Sequence, residues 1–338
     1  MSRYRKLGLT ALALAFLIAM GLALRATEMA GVRSGANGKA ISLRLPWLIN
    51  AQAAGYIMAR EKGFYRQVGL DVDILPGGPN LNSAALVASG ANTFGTNDIG
   101  NIILGVSQGM DLRIIGACFQ RYPVGVISLA KSQIHTPQDL VGRTLAYNEG
   151  GPWTFIKAML AKQKVSLSKI HLVVSPSTEL LINGSVDART GFTVNQQLAL
   201  ERMGYSTSAI LPSDYGVNSY AEAIFTRPQI LKSDPDLVRR FVAATVRGYD
   251  YAYSHQQETV GALMLANPQL DPAQQAAQLK HQAAYIYTEF SRAHGTCAFQ
   301  PSVISQTQDI LTQFGGLKRR VDIQNIYSTD YLPSKKGQ

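Results

Sequence analysis

The sequence predicts an α/β protein built as two lobes around a ligand cleft, and three observations carry that prediction. Short apolar stretches of period two alternate with stretches of helical spacing through two successive units of the chain. A mostly helical tail follows them. The N-terminus carries an export signature, which places the body outside the cytoplasm.

Arg3, Arg5 and Lys6 precede a charge-free apolar run over residues 7–24. Residues 1–30 therefore read as a signal peptide, or as a signal anchor, because the run just reaches membrane-spanning length. The body is expected to be periplasmic or otherwise extracytoplasmic, tethered to the inner membrane if the segment stays uncleaved. An oxidising compartment permits a disulfide. Cys118 lies in a strand-like run and Cys297 in a loop-like stretch, so the two either bridge or pack as separate buried thiols.

Ile41, Leu43, Leu45 and Trp47 alternate, which predicts a first strand with one buried face. Asn50 is placed to cap a helix that ends before Gly63. Leu70, Val72 and Ile74 form a second strand, closed by Pro76-Gly77-Gly78-Pro79. A helix over 83–89, a short strand over 93–95 and a strand over 112–118 complete the first unit. The second opens with an apolar strand over 124–129. Thr136 and Pro137 start a short helix, and a strand follows over 143–147. Gly150-Gly151-Pro152 leads into a helix over 153–164. Segments 172–174, 179–183 and 191–194 continue the alternation, and 223–225 gives one last strand. The tail is read as three helices: one capped by Ser233 with Pro235 in its first turn, one over 271–290, and one over 301–313.

Composition excludes several classes. With 338 residues, 46% hydrophobic and 16% charged, the chain is a packed globular protein. Its net charge of +10 is diffuse, without a basic stripe interleaved with aromatics, so no nucleic acid is expected. Two cysteines and five scattered histidines supply no metal set, and no metal or cofactor is expected. No Gly-x-Ser-x-Gly elbow or Cys/His pairing suggests hydrolysis, so the chain is expected not to be an enzyme.

Several ordered segments carry a resemblance. They are Leu45-Pro46-Trp47-Leu48-Ile49-Asn50-Ala51-Gln52-Ala53-Ala54-Gly55-Tyr56, Glu61-Lys62-Gly63-Phe64-Tyr65, Val68-Gly69-Leu70-Asp71-Val72 and Val87-Ala88-Ser89-Gly90. Thr136-Pro137-Gln138-Asp139-Leu140-Val141-Gly142-Arg143 and Asn183-Gly184-Ser185-Val186-Asp187-Ala188 follow. Together they resemble the SsuA/THI5-like (NMT1) family of solute-binding proteins of ABC importers, over roughly residues 41–255. The resemblance implies a periplasmic-binding-protein-like fold of type II. Lobe one would hold residues 41–123 plus 222–330, and lobe two residues 124–221. It also implies capture of a solute between the lobes and delivery to a membrane permease, by a protein expected to be a monomer. The Trp47-to-Tyr56 stretch is most like the binders of the thiamine pyrimidine precursor and of riboflavin. The pyrimidine synthases of this family use a histidine in the first helix and a cysteine-rich motif. Residues 50–55 hold no histidine, and no cysteine cluster exists.

A flat heteroaromatic guest needs an aromatic wall and a few fixed polar groups. Trp47, ending a strand, is the candidate wall from lobe one, with Asn50 beside it as ligand group or plain cap. Gly77 and Gly78 would let backbone approach the guest, or simply turn the chain. Thr96, Asn97 and Asp98 follow a short strand and are candidate hydrogen-bonding groups or a plain solvated loop, and Gln120 follows a longer strand as another candidate. From lobe two, Tyr147 ends a strand, and Gly150 and Gly151 open a helix whose free N–H groups would face the crevice. Trp153 would stack opposite Trp47, or pack in the core, and Asn195 would contribute an amide. The competing readings are a sulfonate, taurine or nitrate binder of the same family, for which Arg121 and Arg189 are the nearest cations, and a membrane-tethered ligand sensor.

Overall fold

A computed structural model describes residues 41–333. The expected signal over 1–30 lies outside the described residues. Among those described, no helix is long and apolar enough to cross a membrane.

Two five-stranded sheets form the body. The first holds β1 (Ile41–Arg44), β2 (Val72–Leu75), β3 (Phe94–Asn97), β4 (Arg113–Phe119) and β10 (Ala221–Thr226), in the order β2-β1-β3-β10-β4. The second holds β5 (Val124–Leu129), β6 (Thr144–Tyr147), β7 (His171–Val174), β8 (Ala188–Phe192) and β9 (Thr207–Ile210), in the order β7-β6-β8-β5-β9. In each sheet the strand that follows a crossing, β10 or β5, pairs antiparallel with both neighbours, while the other pairings are parallel. The chain crosses after β4 and returns before β10. This is the two-lobe arrangement of a type II binding protein.

The helices pack around these sheets: α1 (Ala54–Glu61), α2 (Phe64–Gln67), α3 (Ser83–Ala88), α4 (Ile99–Ser107), α5 (Gly151–Lys162), α6 (Glu179–Ile182) and α7 (Leu198–Arg202). The tail supplies α8 (Pro228–Ser233), α9 (Pro235–Ser254), α10 (Gln256–Ala266), α11 (Pro272–Ile286), α12 (Glu289–His294) and α13 (Pro301–Phe314). Asn50 caps the turn before α1 by accepting from Gln52 N at 2.8 Å. Gly63, at φ 68°, ends that helix and begins the next.

Strand β1 corrects the expected one-sided burial. Ser42 is buried too, and its hydroxyl accepts from Asn92 Nδ2 and Thr93 N, both at 3.1 Å. A central strand covered on both faces can carry a serine only when such partners are supplied. The cap of α9 is also displaced. Asp234, not Ser233, accepts from Leu237 N at 2.9 Å, because Ser233 closes the preceding α8. The helix expected over 271–290 breaks at Tyr287, where Thr288 caps α12. The strand expected over 191–194 ends at Phe192 and passes into one π-helical turn, Thr193–Gln197.

The principal core joins the lobes. It runs from Ile41, Leu43 and Phe94 through Phe241 and Tyr249 to Ile156 and Met159. Phe94 and Phe241 stack at 3.9 Å and 4°. Helices α1 and α9 cross where Gly55 and Gly248 leave room. A Cβ on Gly248 would lie 2.2 Å from Gly55 O. Cys118 and Cys297 are bridged, tying β4 to the loop before α13 and resolving the alternative left open by the sequence.

Candidate functional site

Parallel strands deliver their C-terminal ends to a common crevice, where ligands of open α/β sheets bind. Here the ends of β1, β2, β3 and β8, with the start of α5, border one cavity of about 690 Å³. Lobe one contributes Trp47, Gln52, Gly78, Asn97, Asp98, Asn101 and Glu222, and lobe two contributes Pro152, Phe192, Asn195 and Gln196. Leu81, Leu104, Gln108 and Met110 extend the lining along α3 and α4.

The aromatic wall of lobe one is Trp47, 49% exposed although followed by a buried first helix. Its backbone is held in place by Gly77 N donating to Trp47 O at 2.9 Å. The opposing aromatic in the lining is Phe192, at the end of β8, and not Trp153. Trp153 is 4% exposed and packs on Tyr147 with ring centres 4.4 Å apart. Helix α5 is buried over most of its surface, and Trp153 lies in the core with Phe155 and Ile156.

Polar groups cluster on the β3 side. Asn97 Oδ1 accepts from Asp98 N and Asn101 Nδ2, and its amide donates to Ser83 Oγ, each at 2.9 Å. Tyr122 donates its hydroxyl to Asp98 Oδ2 at 3.0 Å. Glu222 is the second carboxyl. It interrupts the alternation of β10 with a left-handed backbone (φ 48°), a conformation that costs a non-glycine residue about 1–2 kcal/mol. Burial pushes the Asp98 carboxyl up to about 6, opposed by the Tyr122 hydroxyl. Burial and then the charge of Asp98 push Glu222 up to about 8, opposed by the Thr96 hydroxyl. At neutral pH the pair holds close to one proton between them.

Among the described residues, no lysine, arginine or histidine belongs to the lining. The two cations nearest in sequence are engaged elsewhere. Arg121 donates to Ser213 Oγ at 2.8 Å and pairs with Asp214. Arg189 is buried and donates to Thr178 Oγ1 and Thr190 O.

Five residues expected from sequence meet in the cavity: Trp47, Gly78, Asn97, Asp98 and Asn195. The other eight lie off it. Asn50 serves as a cap and borders only a small pocket behind Trp47, which Glu222 also reaches. Gly77 is required by chain packing, because a Cβ would sit 2.4 Å from Leu45 O. Thr96 is buried under the carboxyl pair. Gln120 donates its amide to Ala117 O and Ala298 O, both at 2.7 Å. Tyr147 covers Trp153. Gly150, at φ 121°, only turns the chain, and Gly151 faces Asn101 Oδ1 at 3.7 Å from its would-be Cβ. The expected nest of N–H groups is depleted by Pro152, which has no N–H and is itself the lining residue.

Sequence reasoning missed Phe192, Gln52 and Glu222. The last was signalled by an acid inside the apolar run Tyr220-Ala221-Glu222-Ala223-Ile224-Phe225.

A family model described as NMT1/THI5 like matches residues 50–259. The chain belongs to the NMT1/THI5-like family. Within reach of that family it is similar to the riboflavin-binding protein RibY of Chloroflexus aurantiacus, with 22% identity over 87% of this chain and 86% of the relative. It is 29% identical to the formylaminopyrimidine-binding protein of Halalkalibacterium halodurans, over 66% of this chain and 69% of that one. Among solved structures, the aliphatic sulphonate binding protein SsuA of Escherichia coli shares the fold, with a TM-score of 0.69 at 14% identity over 88% of this chain and 94% of that one.

Proposed function

We propose that this NMT1/THI5-like chain is the extracytoplasmic substrate-binding protein of an ABC importer. Its ligand is a planar nitrogen heterocycle that carries N–H donors, of the pyrimidine or flavin type. The observation that carries this reading is the sign of the lining among the described residues: a buried and a half-buried carboxyl, several amides, one aromatic from each lobe, and no cation.

A sulfonate or nitrate brings negative charge into a buried site. Without a guanidinium or ammonium to meet it, desolvation goes uncompensated, and the ionised member of the Asp98–Glu222 pair adds repulsion. An amino-substituted heterocycle inverts both terms. Its N–H groups donate to the carboxyls, its ring nitrogens accept from Gln52, Asn195 or Gln196, and its faces lie between Trp47 and Phe192. The cavity of about 690 Å³ accommodates a bicyclic or tricyclic ring with a polar tail running along Leu104 and Gln108. The relatives named as riboflavin and formylaminopyrimidine binders support the same ligand class. Transport needs no bond to break, and no nucleophile–base pair lies in the lining.

A thermal-shift panel tests this reading. Riboflavin and 4-aminopyrimidines are expected to raise the melting temperature in proportion to saturation, and taurine, alkanesulfonates and nitrate to leave it unmoved. Stabilisation by a sulfonate and not by any heterocycle would overturn the assignment.

A further inference from the structure

We infer that Gln275 and Gln282 of α11 are positioning residues for the ligand cavity. They hold from behind the arm that carries Trp47 and Gln52, while Tyr285, one turn on along the same helix, holds the turn that carries Asn195 and Gln196. This assignment of a binding role to the two glutamines rests on the cavity being the solute site, as proposed above.

The arm is residues 45–53, and its only regular element is the three-residue 3-10 turn Ala51–Ala53. Such a turn has few hydrogen bonds of its own. Ala51 is fully buried, and both of its backbone groups are taken by α11. Ala51 N donates to Gln275 Oε1 at 2.8 Å, and Ala51 O accepts from Gln282 Nε2 at 2.6 Å. The two glutamines are two helical turns apart, so they share a face of α11 and bracket a single residue, one on each of its two flanking peptide units. Tyr253 accepts a second hydrogen bond from the Gln282 amide at 2.5 Å, and Asn267 Nδ2 reaches Ile49 O at 3.0 Å. Next along the chain, Gln52 turns its side chain into the cavity.

The two ends of α11 also meet lobe two. Tyr285 Oη and Thr193 Oγ1 are 2.7 Å apart, at the first residue of the π-helical turn. Arg202 donates to Asp271 Oδ2 at 2.8 Å and to Gln274 Oε1 at 3.0 Å, at the end of α7. Gln120 N donates to Tyr285 O at 2.7 Å, at the first crossing between the lobes. Gln275 and Gln282 are 4% and 0% exposed. Buried amides of this kind are costly unless they have a task, since an apolar helix face would pack at no polar cost. Their task is to fix where the arm stands relative to Asn195.

The chemistry of the two bonds differs, and the test uses that difference. Ala51 N can only donate, so position 275 must accept, and a carboxyl accepts as well as an amide. Ala51 O can only accept, so position 282 must donate, and a hydrocarbon side chain does not. Single variants Gln275→Glu, Gln275→Leu and Gln282→Leu are made in the exported full-length chain carrying Trp153→Phe, so that Trp47 is the sole indole. Hydrogen exchange of segment 49–53 and fluorescence anisotropy of Trp47 are recorded without ligand, and riboflavin and 4-aminopyrimidine are titrated separately.

Gln275→Leu and Gln282→Leu are expected to speed exchange in 49–53 about tenfold or more and to lower Trp47 anisotropy, with exchange in β1 and β3 unchanged. Gln275→Glu is expected to match its parent. Each damaged variant is expected to bind the responding heterocycle about tenfold more weakly. Equal acceleration of exchange in 49–53 and in the sheet would mark a stability role alone and overturn the inference. So would unchanged anisotropy in all three variants. If the ligand-free readouts respond as expected and neither heterocycle binds the parent, the positioning of the arm stands and the proposed ligand class falls.

Discussion

At the scale of single residues, the site depends on two carboxyls that the fold keeps from water. Glu222 is held up to about 8 and Asp98 up to about 6, both above their ordinary range because burial disfavours the charged form. For an acid whose pKa is higher folded than unfolded, the folded state binds more protons through the interval between the two values, so stability falls as pH rises. The ligand-free protein is therefore expected to melt several degrees higher at pH 5 than at pH 8. Glu222→Gln should flatten most of that slope in a calorimetric pH series, and a slope of unchanged steepness would remove Glu222 as its source. The two indoles differ just as sharply. Trp47→Ala is expected to weaken heterocycle binding about tenfold, the scale of one lost aromatic contact. Trp153→Phe, away from the lining, should leave the dissociation constant within about threefold in the same titration.

At the scale of elements, the tightest constraint is the crossing of α1 and α9. Gly248→Ala would place a methyl group 2.5 Å from Ala59 Cβ as well as against Gly55 O, so the helices must part. The expected cost is about 1–3 kcal/mol in chemical denaturation, with the midpoint lowered and the slope kept. Phe94→Ala, which empties the stack on Phe241, is expected to cost about 3–5 kcal/mol. Much of the element pattern was legible in the sequence. Strand β5 was read with its observed limits, and Asn50, Gly63 and Pro235 marked helix ends where they stand. What escaped had a physical reason. Helix α4 carries Gly100, Gly105 and the β-branched Ile99, Ile102, Ile103 and Val106, weak helix formers that favour a strand or turn reading of the run. Strand β9 is four residues long and half-exposed, with two small polar residues. The site was legible where it sits at strand ends, as with Trp47, Asn97 and Asn195. It was hidden where register decided the outcome. Ending β8 at Phe192 put that ring, and not Trp153, opposite Trp47, and no local signal sets that boundary.

At the scale of the molecule, lobes joined by two crossings are kept in register by a tail that touches both. Lys157 of α5 donates to Phe314 O at 2.7 Å, and α11 bridges the walls of the cavity. The Cys118–Cys297 bridge closes a long stretch of chain, with a sequence separation of 179, between β4 and the tail. Replacing both cysteines with serine is expected to cost about 2–5 kcal/mol, read as a lower melting temperature equal to that of the reduced parent. The membership in the NMT1/THI5-like family and the SsuA fold agree with this architecture, while the lining differs in sign from what an anionic sulfonate would need. The most direct test is a fluorescence titration of the Trp153→Phe protein with the heterocycle that stabilises it. Saturable quenching of Trp47 with the same midpoint as the thermal shift is the predicted result. A ligand that stabilises the protein while leaving Trp47 emission unchanged at saturation would contradict a guest held against that indole.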